Sequence, residues 1–204
     1  IDASGLELRM LAHYMNDKEY TNEILNGDIH TANQKLAGLE SRNQAKTFIY
    51  ALLYGAGDAK LGSVSKQGKA RGRQLRNTFL DSLPSFAALI KRVQREAKRG
   101  FLKGLDGRKL SVRSEHAALN TLLQSAGAIV MKEALVILNT KIRHLDAKFV
   151  ANVHDEWQIE CSEEHAKQVG DAGIEAIVEA GINLNLNCPL DGDYNIGDGW
   201  HETH

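Results

Sequence analysis

The run from Glu115 to Leu145 constrains the fold most. Leu119, Leu122, Leu123, Ala126, Ile129, Val130, Ala134, Ile137 and Leu138 follow helical spacing and lie nearly all round the helix axis. A helix with no polar face must be covered on every side, so the rest of the chain has to wrap around it. With 204 residues, 43% of them hydrophobic, the chain has the material for such a core in one or two domains. The polar interruptions Asn120 and Gln124 stand at i, i+4 on one face. Buried amides need partners, and two readings stand side by side: a structural hydrogen bond to a neighbouring loop, or contact with base edges in a nucleic-acid groove.

A second helix is written into Ser41 to Gly55. Ser41 and Gln44 form a capping box, so the helix starts near Arg42, and Gly55 with Gly57 stops it. Ala45, Phe48, Ile49 and Leu52 share one side, while Arg42, Lys46 and Tyr50 climb the adjoining side at i, i+4, i+8, with Tyr54 extending the strip. Two cations beside a helix N-terminus suit a phosphate chain, although the same pattern describes a solvated face beside a packed one.

The net charge of -1 conceals an uneven distribution. From Lys66 to Arg113 there are fourteen Lys and Arg against Asp81, Glu96 and Asp106. Such a block fits a polyanionic partner such as nucleic acid. Cys161 and Cys188 are the only cysteines and have no zinc spacing, which fits reduced residues of a cytoplasmic protein. No apolar run approaches the roughly twenty residues of a membrane helix, so no membrane is expected as a partner. The absence of an initiator Met suggests a piece of something longer.

Elsewhere, Ile1 to Tyr14 reads as a strand end turning into a helix. Asp2 sits at the strand's edge, where a carboxylate serves either as a ligand or as a helix cap. A short helix around Asp17 to Leu25 ends at Asn26-Gly27. His30 then stands near a helix start, as an anion donor or an ordinary surface histidine. Helices over Lys66–Leu80 and Ser85–Lys98 break at Leu83-Pro84, and a turn at Leu105 to Arg108 follows. Strands from Lys148 and from Trp157 are joined at His154-Asp155-Glu156, an unusual hairpin tip because turns prefer Asn or Gly. Adjacent acids there are tolerable where a divalent cation uses them. A helix from Glu163 to Ala180 and a strand-like tail, Leu184 to Ile196, close the chain.

Together these pieces carry a resemblance. Asp2-Ala3-Ser4-Gly5-Leu6-Glu7-Leu8-Arg9, then Arg42-x-x-x-Lys46-x-x-x-Tyr50-x-x-x-Tyr54-Gly55, then Val153-His154-Asp155-Glu156 resemble motifs A, B and C of the DNA polymerase I family (family A). Gly104 to Arg108 and Ala117 to Ala128 are similar to the replicative polymerases of T-odd bacteriophages. The likeness runs from Asp2 to His204. Trp157 departs from it, because family members usually carry an aliphatic residue there.

The resemblance implies an α+β right-hand polymerase fold: an antiparallel palm sheet with helices over residues 1–27 and 105–204, and mostly helical fingers over 28–104. The thumb and a proofreading exonuclease domain would precede residue 1. It implies template-directed DNA synthesis, with two Mg2+ ions held by Asp2, the Ala3 carbonyl and Asp155. His30, Arg42 and Lys46 would grip the triphosphate of the incoming dNTP, with Lys46 as proton donor to pyrophosphate. Tyr50 and Glu7 would gate the sugar, and Tyr54 would stack at the templating position. Arg108, Asn120, Gln124, His154 and Glu156 would serve the primer-template, with Glu156 as support rather than principal ligand. A processivity factor would bind through the thumb, in the cytoplasm of a cell or of a viral host. The alternative is a non-catalytic nucleic-acid-binding module from a truncated polymerase gene.

Overall fold

The computed structural model describes residues 1–203, which resolve into two compact units: residues 1–13 with 125–203, and residues 14–124. The division between the compact units falls inside helix α1 (Leu6–Met15) and inside helix α8 (Ala118–Ile142). Residues 14–27 and 105–124 join the helical unit because their partners lie there. Ser85 Oγ donates to Asp17 Oδ2 at 2.7 Å, Val112 N donates to Gly100 O at 3.3 Å, and Gly55 abuts the carbonyl of His116.

The first unit is built on a four-stranded antiparallel sheet in the order β4-β5-β1-β6: Ala147–Val153, Glu156–Cys161, Asp2–Ala3 and Gly192–Asp193. β4 and β5 form the expected hairpin, but its turn is His154-Asp155 alone, because Glu156 already pairs with Val153. His154 has φ of 54°, the left-handed region that tight turns require and histidine tolerates better than most residues. Of the strand-like tail, only Gly192–Asp193 is strand, matching the two residues that β1 offers it. Helix α9 (Glu163–Asn183) turns Val169, Ala176, Ile177 and Ala180 into the core. Trp157 is fully buried, so the bulk that departs from the family pattern is taken up in the core.

Helix α8 buries Leu119, Leu122, Leu123, Ala126, Ile129, Val130, Met131, Ala134 and Leu138, but Val136 is 66% exposed and Ala128, Lys132, Asn139 and Thr140 are exposed too, so the expected cover on every side is not met. The turn and helix over Glu115–Ile142 are long and apolar enough to cross a membrane by length and composition, which corrects the statement that no run approaches that length. Half of its apolar window is buried inside the structure.

The second unit holds helices α2 (Lys18–Asn26), α3 (Ile29–Ala37), α4 (Arg42–Leu53), α5 (Asp58–Ser63), α6 (Lys69–Ser82) and α7 (Pro84–Ala97), with the hairpin β2 (Phe101–Lys103) and β3 (Lys109–Ser111). Phe48, Phe79 and Phe86 meet edge to face at 5.7 and 5.5 Å and are fully buried. That geometry adds about 0.5–1.5 kcal/mol per ring pair beyond area burial. α5 and α6 cross with almost no space between their backbones: a Cβ on Gly72 would stand 1.8 Å from the carbonyl oxygen of Asp58.

Candidate active site

In the first unit, acids gather around β1. Asp2 stands opposite Glu156 of β5 on one side and Asp193 of β6 on the other, and the N–H of Ala3 donates to the carbonyl of Asp155 at 3.0 Å. The strand edge that carries Asp2 is therefore locked against the hairpin tip that carries Asp155. Burial pushes the Asp2 carboxyl up to about 6; the charges of Asp155, Asp193 and Glu156 push the same way, opposed only by the amino terminus. Glu156 is 9% exposed. It accepts from the Trp200 indole Nε1 at 3.2 Å and from the Gln158 amide, so a buried carboxylate is held by neutral donors.

This arrangement suits a divalent cation. Crowded carboxylates, of which Asp2 has a raised proton affinity, mark a site short of positive charge. Among the described residues, no three His, Cys, Asp or Glu side chains converge into a closed ligand set. Mg2+ is typically held without such a cage, by one or two carboxylates plus substrate phosphate oxygens. Asp2, Asp155 and the adjacent Ala3 backbone fit that pattern. Glu7, at the start of α1, is half-buried, and Arg9 two residues on is buried, donating to Ser4 O and Pro189 O.

In the second unit, the side chains at the start of α4 meet those at the start of α3. Ser41 Oγ caps α4 by accepting from Gln44 N at 3.3 Å. The reciprocal arm is shifted by one residue: Gln44 Oε1 accepts from Glu40 N at 3.2 Å. His30, at the first turn of α3, lies 6.2 Å ring to ring from Tyr50. Desolvation lowers the His30 pKa, and the charges of Arg42 and Lys46 lower it further, against Asp28. His30, Arg42, Lys46 and Tyr50 thus form one neighbourhood. It is cationic, presents a helix N-terminus, and contains a neutral imidazole whose Nδ1 is buried with no hydrogen-bond partner among the described residues. Such a surface can take a polyphosphate.

Tyr54, 53% exposed at the end of α4, accepts from Gln124 Nε2 at 3.4 Å, so these two predicted site residues touch. Asn120 is half-buried, one turn earlier on α8. Arg108 is engaged within its own turn, its Nε and Nη2 both on the Asp106 carboxylate, at 2.8 Å and 2.6 Å to Oδ2. The basic block is partly spent in the same way: Arg73 and Arg76 pair with Asp58, and Arg71 donates to Gly38 O.

Three residues escaped the sequence reading. Asp193 is set opposite Asp2 by a pairing that no local pattern announces. Trp200 reaches Glu156 from 44 residues away. Asp28 caps α3 and binds Arg42, and its signal was readable: an Asp two residues before His30, right after Gly27, is an N-cap.

Residues 1–202 match the model for DNA polymerase family A. The DNA-directed DNA polymerase of Enterobacteria phage T3 is 46% identical over 231 aligned positions, and that of Escherichia phage T7 is 45% identical over 231. Both matches cover 100% of this chain and 33% of the relative, so the chain spans about a third of their length. The POL domain of Pol1 from M. smegmatis, solved in complex with DNA primer-template and dNTP, shares the fold at a TM-score of 0.86 and 22% identity, over 99% of this chain and 39% of that one. Matched over nearly its whole length, the chain belongs to DNA polymerase family A.

Proposed function

We propose that the chain is the nucleotidyl-transfer core of a template-directed DNA polymerase, adding a dNTP to a primer 3′-hydroxyl, with unit one as palm and unit two as fingers. The observation that carries this reading is the bond from Ala3 N–H of β1 to the Asp155 carbonyl, which sets the Asp155 turn against the strand that carries Asp2, with Glu156 and Asp193 paired on its two sides. Asp2, Asp155 and the Ala3 carbonyl would hold two Mg2+ ions. Such ions would supply Lewis-acid stabilisation to a phosphoryl-transfer displacement.

The remaining roles belong to the chain's own side chains. Arg42 and His30 bind the β- and γ-phosphates, and Lys46 does so while giving its proton to the departing pyrophosphate. Tyr50 serves the incoming sugar, and Glu7 excludes a ribose hydroxyl. Tyr54 stacks at the templating base, a contact worth roughly 1–3 kcal/mol per base. Asn120, Gln124 and His154 contact minor-groove acceptors that all correct pairs share. Arg108 binds the primer-template backbone, which requires it to leave Asp106. Glu156 supports the turn.

The test is primer extension with a labelled dNTP, using the chain substituted for the segment it aligns with in the phage T7 enzyme. Mg2+-dependent incorporation that is lost on Asp2→Asn and Asp155→Asn supports the reading. Binding of primer-template that is salt-sensitive and Mg2+-independent, with no incorporation, would instead identify a non-catalytic binding module. A processivity factor, on this reading, engages the part of the polymerase outside residues 1–204.

A further inference from the structure

One carboxylate in the helical unit makes more hydrogen bonds than a helix cap needs. Asp28 Oδ1 accepts from the backbone N–H of His30 at 3.1 Å and of Thr31 at 3.3 Å, which caps α3. Its other oxygen, Oδ2, accepts from Thr31 Oγ1 at 2.9 Å and from Arg42 Nε at 2.6 Å. The ion pair therefore spans fourteen residues and ties the first residue of α4 to the first turn of α3.

The geometry of the pair matters because a guanidinium has two useful edges. A carboxylate on Nε occupies one side of the planar fork and leaves the terminal nitrogens to form a two-pronged contact with a phosphate. Exposed pairs of this kind contribute little to stability, and both partners here are roughly half exposed, at 51% and 43%. Fold stability alone therefore does not account for the arrangement. The same carboxylate also holds the backbone N–H of His30, so a single group is bonded to both the Arg42 guanidinium and the backbone that carries the imidazole.

Resting on the reading that this unit binds a nucleoside triphosphate, we infer that Asp28 is a positioning residue for that triphosphate: it aims the terminal edge of Arg42, and the backbone of His30, at the phosphates. Asp28 touches no substrate atom in this account and acts through Arg42.

The test uses the 204-residue chain and dATP with Mg2+, with binding followed by calorimetry. Asp28→Asn keeps the shape and the capping oxygen but loses the charge; Asp28→Ser keeps a good N-cap but cannot reach Arg42. Both should weaken dATP binding by roughly tenfold, the scale of one charge-assisted hydrogen bond. In an Arg42→Ala background neither should weaken it further, because the residue through which Asp28 acts is gone. Unchanged or tighter binding in both single variants overturns the inference, because the carboxylate then competes with phosphate or does nothing. An equal loss with and without Arg42 also overturns it, because Asp28 then acts through α3 alone. If Arg42→Ala and Lys46→Ala leave dATP binding unchanged, the triphosphate reading fails and this inference with it. If those two weaken binding and the Asp28 variants do not, only the inference about Asp28 falls.

Discussion

Asp2 stands directly opposite Glu156 across β1 and β5, which puts the carboxyl of one proposed metal ligand beside a buried acid. The Asp2 carboxyl is pushed up to about 6, by burial first and by the neighbouring acids next. A raised carboxyl pKa contributes stability at low pH that is lost as pH climbs through the folded value. Asp2 should therefore destabilise the chain progressively between about pH 4 and pH 6, and remain a liability at neutral pH. Thermal melts of the chain at about pH 5 and about pH 8 check this: Asp2→Asn should raise the melting temperature at the higher pH and have little effect at the lower one. Mg2+ should stabilise the parent more at the higher pH, where the acids are ionised, and Asp2→Asn should remove most of that gain.

Glu156 provides the next test. Its carboxylate is nearly covered, and the Trp200 indole is one of the donors that compensate for that burial. Trp200→Phe keeps the ring and removes the N–H, so it should cost about 1–3 kcal/mol, the penalty for depriving a buried acceptor of a donor. Urea unfolding measures that loss. Because Glu156 directly follows the turn that carries Asp155, primer extension should slow in Trp200→Phe while its Mg2+ requirement stays as in the parent. An unaltered unfolding midpoint would mean that the indole contributes nothing there.

These two cases separate what was legible in the sequence from what was not. Local chemistry read well: Ser41 as a cap, the break at Pro84, and the hairpin around Asp155 all depend on neighbours within a few residues, while the apolar run read to Leu145 ends as helix at Ile142. The three-residue tip shortened to two because Glu156 has a strand partner in Val153, a pairing that composition does not encode. Asp193 and Trp200 were invisible for the same reason at longer range, since both reach the acids only after the chain has folded back on itself. The fourteen cations were counted correctly, but counting overstated the free charge: Arg73, Arg76 and Arg108 face acids of their own unit.

Tyr50 tests the family resemblance at the level of the sugar. A tyrosine at this place carries a hydroxyl that phenylalanine lacks, and a lost polar contact of about 1.4 kcal/mol is tenfold in selectivity. The polymerase carrying Tyr50 should accept dideoxynucleotides readily. Tyr50→Phe should raise discrimination against them by roughly tenfold or more while leaving dNTP incorporation nearly unchanged. Competition between a dideoxynucleotide and its dNTP in a primer-extension ladder gives the ratio directly. Early termination of equal strength in both proteins would detach Tyr50 from sugar recognition.

His30 makes the strongest prediction about pH, because its environment has a definite sign. Burial, Arg42 and Lys46 each disfavour the imidazolium, so the ring is neutral at pH 7 and folding loses stability as pH drops through its ordinary range near 6.5. A bound triphosphate reverses the local charge: anionic phosphates offset both cations and favour the protonated ring. Binding of dATP should then take up a proton, and affinity should rise as pH falls from about 8 to about 6. Calorimetry in two buffers of different ionisation enthalpy counts the proton, and His30→Gln should abolish the uptake while preserving a hydrogen-bond donor. Proton uptake that survives His30→Gln would assign the titration to another group. Affinity independent of pH in the parent would mean that the phosphates do not approach His30 at all.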